Sequence, residues 1–188
     1  FTMLMMILGS YIFDFNPVIG KIFWSLGLGL HALHIFIFTY RNIITNFNID
    51  TFVPSYFVTY NGIMVSVVVG GVMKEPTIGK LVTYYGIGIF TLIIPFMIHR
   101  LIKHELKDIF YHTQAIVLAP SSLCTVSYLN SVKDPNIYLL GYLYICVLLA
   151  LVFIIYKLPK FFSFGFSPAF ASLTFPMAIG IVATTKMS

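Results

Sequence analysis

Charged side chains in this chain fall only between long charge-free stretches, over 22–40, 51–73, 81–99, 109–132, 135–156 and 161–185, with a shorter stretch at 1–13. A helix needs about 20 apolar residues to cross the hydrocarbon core of a bilayer, so all but the first stretch are long enough. A spanning segment must satisfy its own backbone hydrogen bonds, which makes each stretch a helix. The expectation is an all-α integral membrane protein. Composition excludes the alternatives: with 59% hydrophobic and 9% charged residues, a soluble globule of 188 residues could not cover its surface. The runs also lack the alternation that a transmembrane β-barrel requires.

The chain opens at Phe1 within an apolar run that has no basic flank before it and no small-residue cleavage site after it. A signal peptide does not fit this pattern, and a helix cut at the chain boundary does. The expected organisation is one transmembrane domain over 1–188, itself a fragment, with spans at about 1–13, 22–40, 54–73, 81–99, 111–130, 136–156 and 168–185. Cys124 and Cys146 fall within spans, where thiols serve as small apolar filler. The net charge of +5 comes from loop lysines and arginines, sets topology, and implies no nucleic-acid partner.

Connections alternate in length. Short ones carry turn formers, Asn16-Pro17, Glu75-Pro76 and Asp134-Pro135, and longer ones lie at about 41–53, 100–110 and 157–167. The longer set holds six Lys and Arg residues against five in the shorter set, which places the longer loops in the cytoplasm. Spans after the longer loops begin near Pro54, Tyr111 and Pro168, two equal steps of 57 residues. A parallel repeat of helical hairpins accounts for this.

The two spans of each hairpin differ. Ser, Thr, Asn and Gln number fourteen in 55–73, 111–129 and 168–185, against five in 22–40, 81–99 and 136–156. Polar side chains avoid lipid, so the first helix of each hairpin is expected inside and the second outside. The inner helices share a breaker at similar depth, at Gly62, Pro120 and Pro176. Midspan breaks are tolerated where the freed carbonyls line a cavity, so these positions are candidate kinks around a pore. Candidate pore-lining groups are Asn61, Ser66, Gln114, Ser121, Thr125, Ser172 and Thr174.

Three segments carry a family resemblance. In the last span, read from Phe166, Ser172-Leu173-Thr174-Phe175-Pro176 resembles the ninth helix of the tellurite-resistance/dicarboxylate transporter family. That family includes bacterial TehA-type channels, plant guard-cell slow anion channels, and fungal malate and sulfite carriers. Ile116-Val117-Leu118-Ala119-Pro120-Ser121-Ser122 is similar to its seventh helix, and Pro54-Ser55-Tyr56-Phe57-Val58 with Asn61-Gly62 to its fifth. The resemblance implies ten helices in five hairpins, with helices one, two and ten missing here, so the ring stays unclosed and shows a groove. It implies passage of small anions (C4-dicarboxylate, tellurite or inorganic anions) through a central pore, with Phe175 as the aromatic plug. An aromatic ring can seal a narrow pore by dewetting and steric block. It further implies no cofactor, a multi-pass position in the cell membrane among lipid, and, since trimers occur in the family, a homotrimer as an open expectation.

No catalytic constellation is evident, and no acidic residue lies in a complete span, which argues against a buried carboxylate relay. Two alternatives stand beside the channel. One is a proton-coupled carboxylate or sulfite carrier on the same fold. The other is a membrane haem or metal redox protein using His31 and His34, with His99, His104 and His112 near the long loop. Axial ligation wants histidines on facing helices at matching depth, so His31 and His34 are expected in interhelical hydrogen bonds instead.

Overall fold

The computed structural model describes residues 1–165 and 168–188, with the Ile109 side chain left undescribed. Phe166 and Ser167, at the head of the resemblance read from Phe166, lie outside the described residues. Among the described residues eight α-helices run in order: α1 Thr2–Phe13, α2 Pro17–Thr39, α3 Tyr56–Asn61, α4 Val65–Val69, α5 Pro76–Lys103, α6 Leu118–Ser131, α7 Ile137–Phe161 and α8 Ala171–Met187. Five helical segments among them are long and apolar enough to cross a membrane: Pro17–Thr45, Tyr56–Met73, Pro76–Lys103, Ile137–Phe161 and Pro168–Met187.

Local chemistry sets the helix starts. Asn16 caps α2 by accepting from Val18 N and Ile19 N, both at 3.1 Å, with Pro17 preorganised at the first helical position. Asn136 repeats the device on α7, accepting from Tyr138 N and Leu139 N. The α1–α2 hairpin then packs backbone against backbone. A Cβ on Gly9 would lie 2.6 Å from Trp24 N, and one on Gly20 would lie 2.5 Å from Phe13 N and Cα. Without a hydrophobic drive between helices in lipid, such small residues let van der Waals packing hold the pair.

The inner segments are not continuous α-helices. Tyr56–Met73 alternates α3, a 3₁₀ turn at Gly62–Met64, α4, and a second 3₁₀ turn at Gly70–Met73. Before α6 the chain runs as 3₁₀ helix from Asp108 to Val117, far longer than usual for this form. Pro120 lies three residues into α6; it withholds a donor from the Ile116 carbonyl, and its ring crowds that carbonyl, so an α-ladder cannot propagate smoothly through it. Pro176 sits inside α8 and Pro95 inside α5, with the same local consequence.

The helices form two layers. α1, α3–α4, α6 and α8 follow one another in an arc, each packed on the next. Behind them α2 backs α1 and α3, α5 backs α3 and α6, and α7 backs α6. Burial follows this plan: 67% of the Tyr56–Met73 residues are buried, against 17% in the apolar 18-residue stretch of Pro17–Thr45 and 28% in that of Ile137–Phe161. From Leu118 to Tyr128, α6 is buried at every position. The inner segment Pro168–Met187 is the exception at 22%, because it stands at the end of the arc with α6 as its main neighbour.

One long loop is tied down by a buried cation. Arg100, 3% exposed at the end of α5, donates from Nε to Ile49 O at 2.8 Å and from Nη1 to His104 O at 2.7 Å. Hydrogen bonds from a charged donor are worth about 2 kcal/mol each, so Arg100→Ala should free the 41–53 loop. Limited proteolysis checks this: cleavage in that loop should accelerate relative to the unchanged protein.

Candidate permeation pathway

Four inner segments converge on one cavity of about 300 Å³. α1 contributes Met3, Leu4 and Ile7, and the broken α3–α4 segment contributes Phe57, Val58, Gly62 and Val65. The α6 segment adds Ile116, Ala119, Pro120 and Leu123; α8 adds Ala171, Ser172, Phe175 and Pro176. Each set recurs at helical spacing, as in Val58, Gly62 and Val65 or Ile116, Pro120 and Leu123, so each segment turns a single stripe to the cavity. Among the described residues no outer helix lends a residue to this wall.

All three expected breakers, Gly62, Pro120 and Pro176, lie on the wall, as does Phe175. Phe175 is 42% exposed, so it lies at the cavity and outside the packed core of the bundle. Gly62 also sits at a tight crossing, where an added Cβ would come within 2.9 Å of Met3 Sδ and 3.0 Å of His31 Cε1.

The seven polar candidates separate. Ser172 reaches the wall, and its Oγ lies 2.7 Å from both His112 O and Ala169 O, able to donate to one of them. The others bond away from it. Ser66 donates to Ile63 O, Ser121 to Leu118 O, Thr125 to Ser121 O, Thr174 to Ala171 O, and Gln114 to Tyr111 O, each within its own helical turn. Asn61 is fully buried and donates to Gly86 O of α5 at 2.9 Å, leaving Oδ1 without a partner among the described residues. The wall is therefore almost wholly apolar. Sequence reasoning missed Leu123, Ile116, Phe57 and the α1 methionine and isoleucine; the signal available was the i, i+4, i+7 stripe through Pro120.

His31 is 2% exposed and joins three segments: Nε2 donates to Thr59 O at 2.9 Å, and Nδ1 accepts from Thr2 Oγ1 at 2.7 Å. The Thr59 carbonyl lies just before the α-ladder gives way to the 3₁₀ turn at Gly62, and the imidazole supplies it a donor. Both ring nitrogens are thus engaged, with no lone pair left for a metal. His34, also expected in an interhelical hydrogen bond, makes none among the described residues: it is exposed, beside the rings of His31 at 6.2 Å and Phe38 at 6.0 Å between centroids. Among the described residues no three His, Cys, Asp or Glu side chains group closely enough to hold a metal ion. Replacing His31 by Leu strands the Thr59 carbonyl, so thermal unfolding in detergent should show a loss of about 1–3 kcal/mol, which His31→Gln should partly restore.

Spanning apolar helices in two layers, with a cavity walled by inner segments, define an all-α multi-pass membrane protein. The chain belongs to the SLAC1 family, described as voltage-dependent anion channel, whose family model matches residues 1–188. It is an anion channel or transporter, and the resemblance drawn from the segments around Phe175, Pro120 and Gly62 agrees with this match. No curated protein matches the chain.

Proposed function

We propose that the protein carries small anions, inorganic anions, tellurite or C4-dicarboxylates, across the cell membrane through the cavity between α1, α3–α4, α6 and α8, and that Phe175 closes this path. The observation that carries the proposal is the convergence of four inner segments on one wall, with Phe175 and the breakers Gly62, Pro120 and Pro176 all upon it. An apolar constriction of this kind stops ions by dewetting, and a large ring in it removes the remaining space. Among the described residues no Lys or Arg lines this cavity, so once the ring moves aside no fixed charge traps an anion there. The basic residues stand at the loop ends instead, among them Lys103, Lys157 and Lys160.

Flux of a panel of anions into liposomes containing the full-length protein tests the proposal. Uptake that equilibrates with the anion gradient alone supports passive conduction. Accumulation above equilibrium that follows a pH gradient would instead assign the proton-coupled carrier.

A further inference from the structure

A second cavity, of about 280 Å³, opens on the outer layer between α5 and α7. Ile94, Ile98 and Ile102 of α5 form one side and Cys146, Leu149 and Phe153 of α7 the other. Its floor is Val117 and Ser121 of the inner α6 segment, and the Ser121 hydroxyl is turned back onto Leu118 O, so a guest meets hydrocarbon throughout. The groove runs along two outer, lipid-facing helices, as the exposure of Ile98, Ile102, Leu149 and Val152 indicates.

The long-loop end of this groove is basic. Lys157 Nζ lies 5.7 Å from the centroid of the Phe153 ring, itself part of the groove wall, and 5.9 Å from that of Tyr111. Lys160 Nζ lies 4.6 Å from the same Tyr111 ring. Both ammonium groups thus rest against the neutral Tyr111 ring, which orients them without cancelling their charge. Glu105 and Asp108 are the carboxylates of the neighbouring loop, and neither forms an ion pair among the described residues; the ion pair found there joins Lys21 to Glu75 on the short-loop side.

An apolar groove between two lipid-facing helices, with Lys157 and Lys160 on the last turns of α7 at its end, fits one partner. We propose that the groove binds an anionic phospholipid, its acyl chain between α5 and α7 and its phosphate between Lys157 and Lys160. The chain would lie on the back of the pore wall, because Ile116 and Pro120, next to the floor residues, line the central cavity.

The test uses the full-length protein in phosphatidylcholine vesicles doped with phosphatidylglycerol that carries a photoactivatable acyl chain. Label should concentrate on 94–102 and 146–153. A lysine near an anionic headgroup contributes about fivefold in binding, so Lys157→Gln with Lys160→Gln should lower that labelling roughly 25-fold. A matching phosphatidylcholine probe should be indifferent to both lysines. Cys146→Phe, which fills the slot and leaves the cations, should remove groove labelling by either probe. Equal labelling by the two lipids regardless of the lysines, or crosslinks between second copies of the chain across this groove, would overturn the proposal.

Discussion

Phe175→Ala should raise anion conductance of the full-length protein about tenfold or more, since removing the ring both widens the path and lets water enter it. Phe175 lines a cavity whose other walls are almost wholly apolar, and the one hydroxyl among the described residues there, that of Ser172, is held on backbone carbonyls. Phe175→Trp should act in the opposite direction and reduce any residual current. Phe57, also on the wall, is 1% exposed and locked beside Phe90 at 6.2 Å between centroids, so its replacement should act chiefly on packing. Single-channel or macroscopic current recordings separate these outcomes. An unchanged leak in Phe175→Ala would remove this residue from the closure.

The second large effect concerns the α1–α2 hairpin. Gly20→Leu should abolish the folded, monodisperse protein in detergent, because its first added atom would fall 2.5 Å from the Phe13 backbone and 2.8 Å from Gly9 O. Backbone cannot yield as a flexible side chain does, so the helices must separate at a cost of roughly 3 kcal/mol or more. Gly29→Leu, on the same helix with open space around it, should leave the thermal unfolding curve where it was. Equal behaviour of the two variants would show that the close crossing contributes nothing.

Much of the architecture is readable from residues because lipid imposes simple rules. Charge-free runs mark helices, and Asn16-Pro17 and Glu75-Pro76 mark turns. The hydroxyl content of 55–73 and 111–129 marks the buried layer that Tyr56–Met73 and α6 form. The face of each inner helix is harder to read. A serine or threonine in a helix can satisfy itself on the carbonyl three or four residues back, as Ser66, Ser121 and Thr125 do, so its polarity reports distance from lipid and not contact with a pore. Breakers are more informative about the wall, because Gly62, Pro120 and Pro176 disturb the backbone itself. The 3₁₀ run over Asp108–Val117 was not legible, since nothing in its composition departs from an ordinary helix start. His31 shows the opposite case: a midspan histidine with no facing histidine at its depth is expected in interhelical hydrogen bonds, and its nitrogens are found on Thr2 and Thr59.

The most direct measurement is thiol accessibility in a background with Cys124 and Cys146 replaced by serine, using a membrane-impermeant charged methanethiosulfonate on the conducting Phe175→Ala protein. Ala119→Cys, Val65→Cys and Ala171→Cys should be modified rapidly and block current, while Leu92→Cys and Leu149→Cys on the outer layer should stay unreactive. Modification and block at the outer positions, with the three inner ones silent, would contradict a path between α1, α3–α4, α6 and α8.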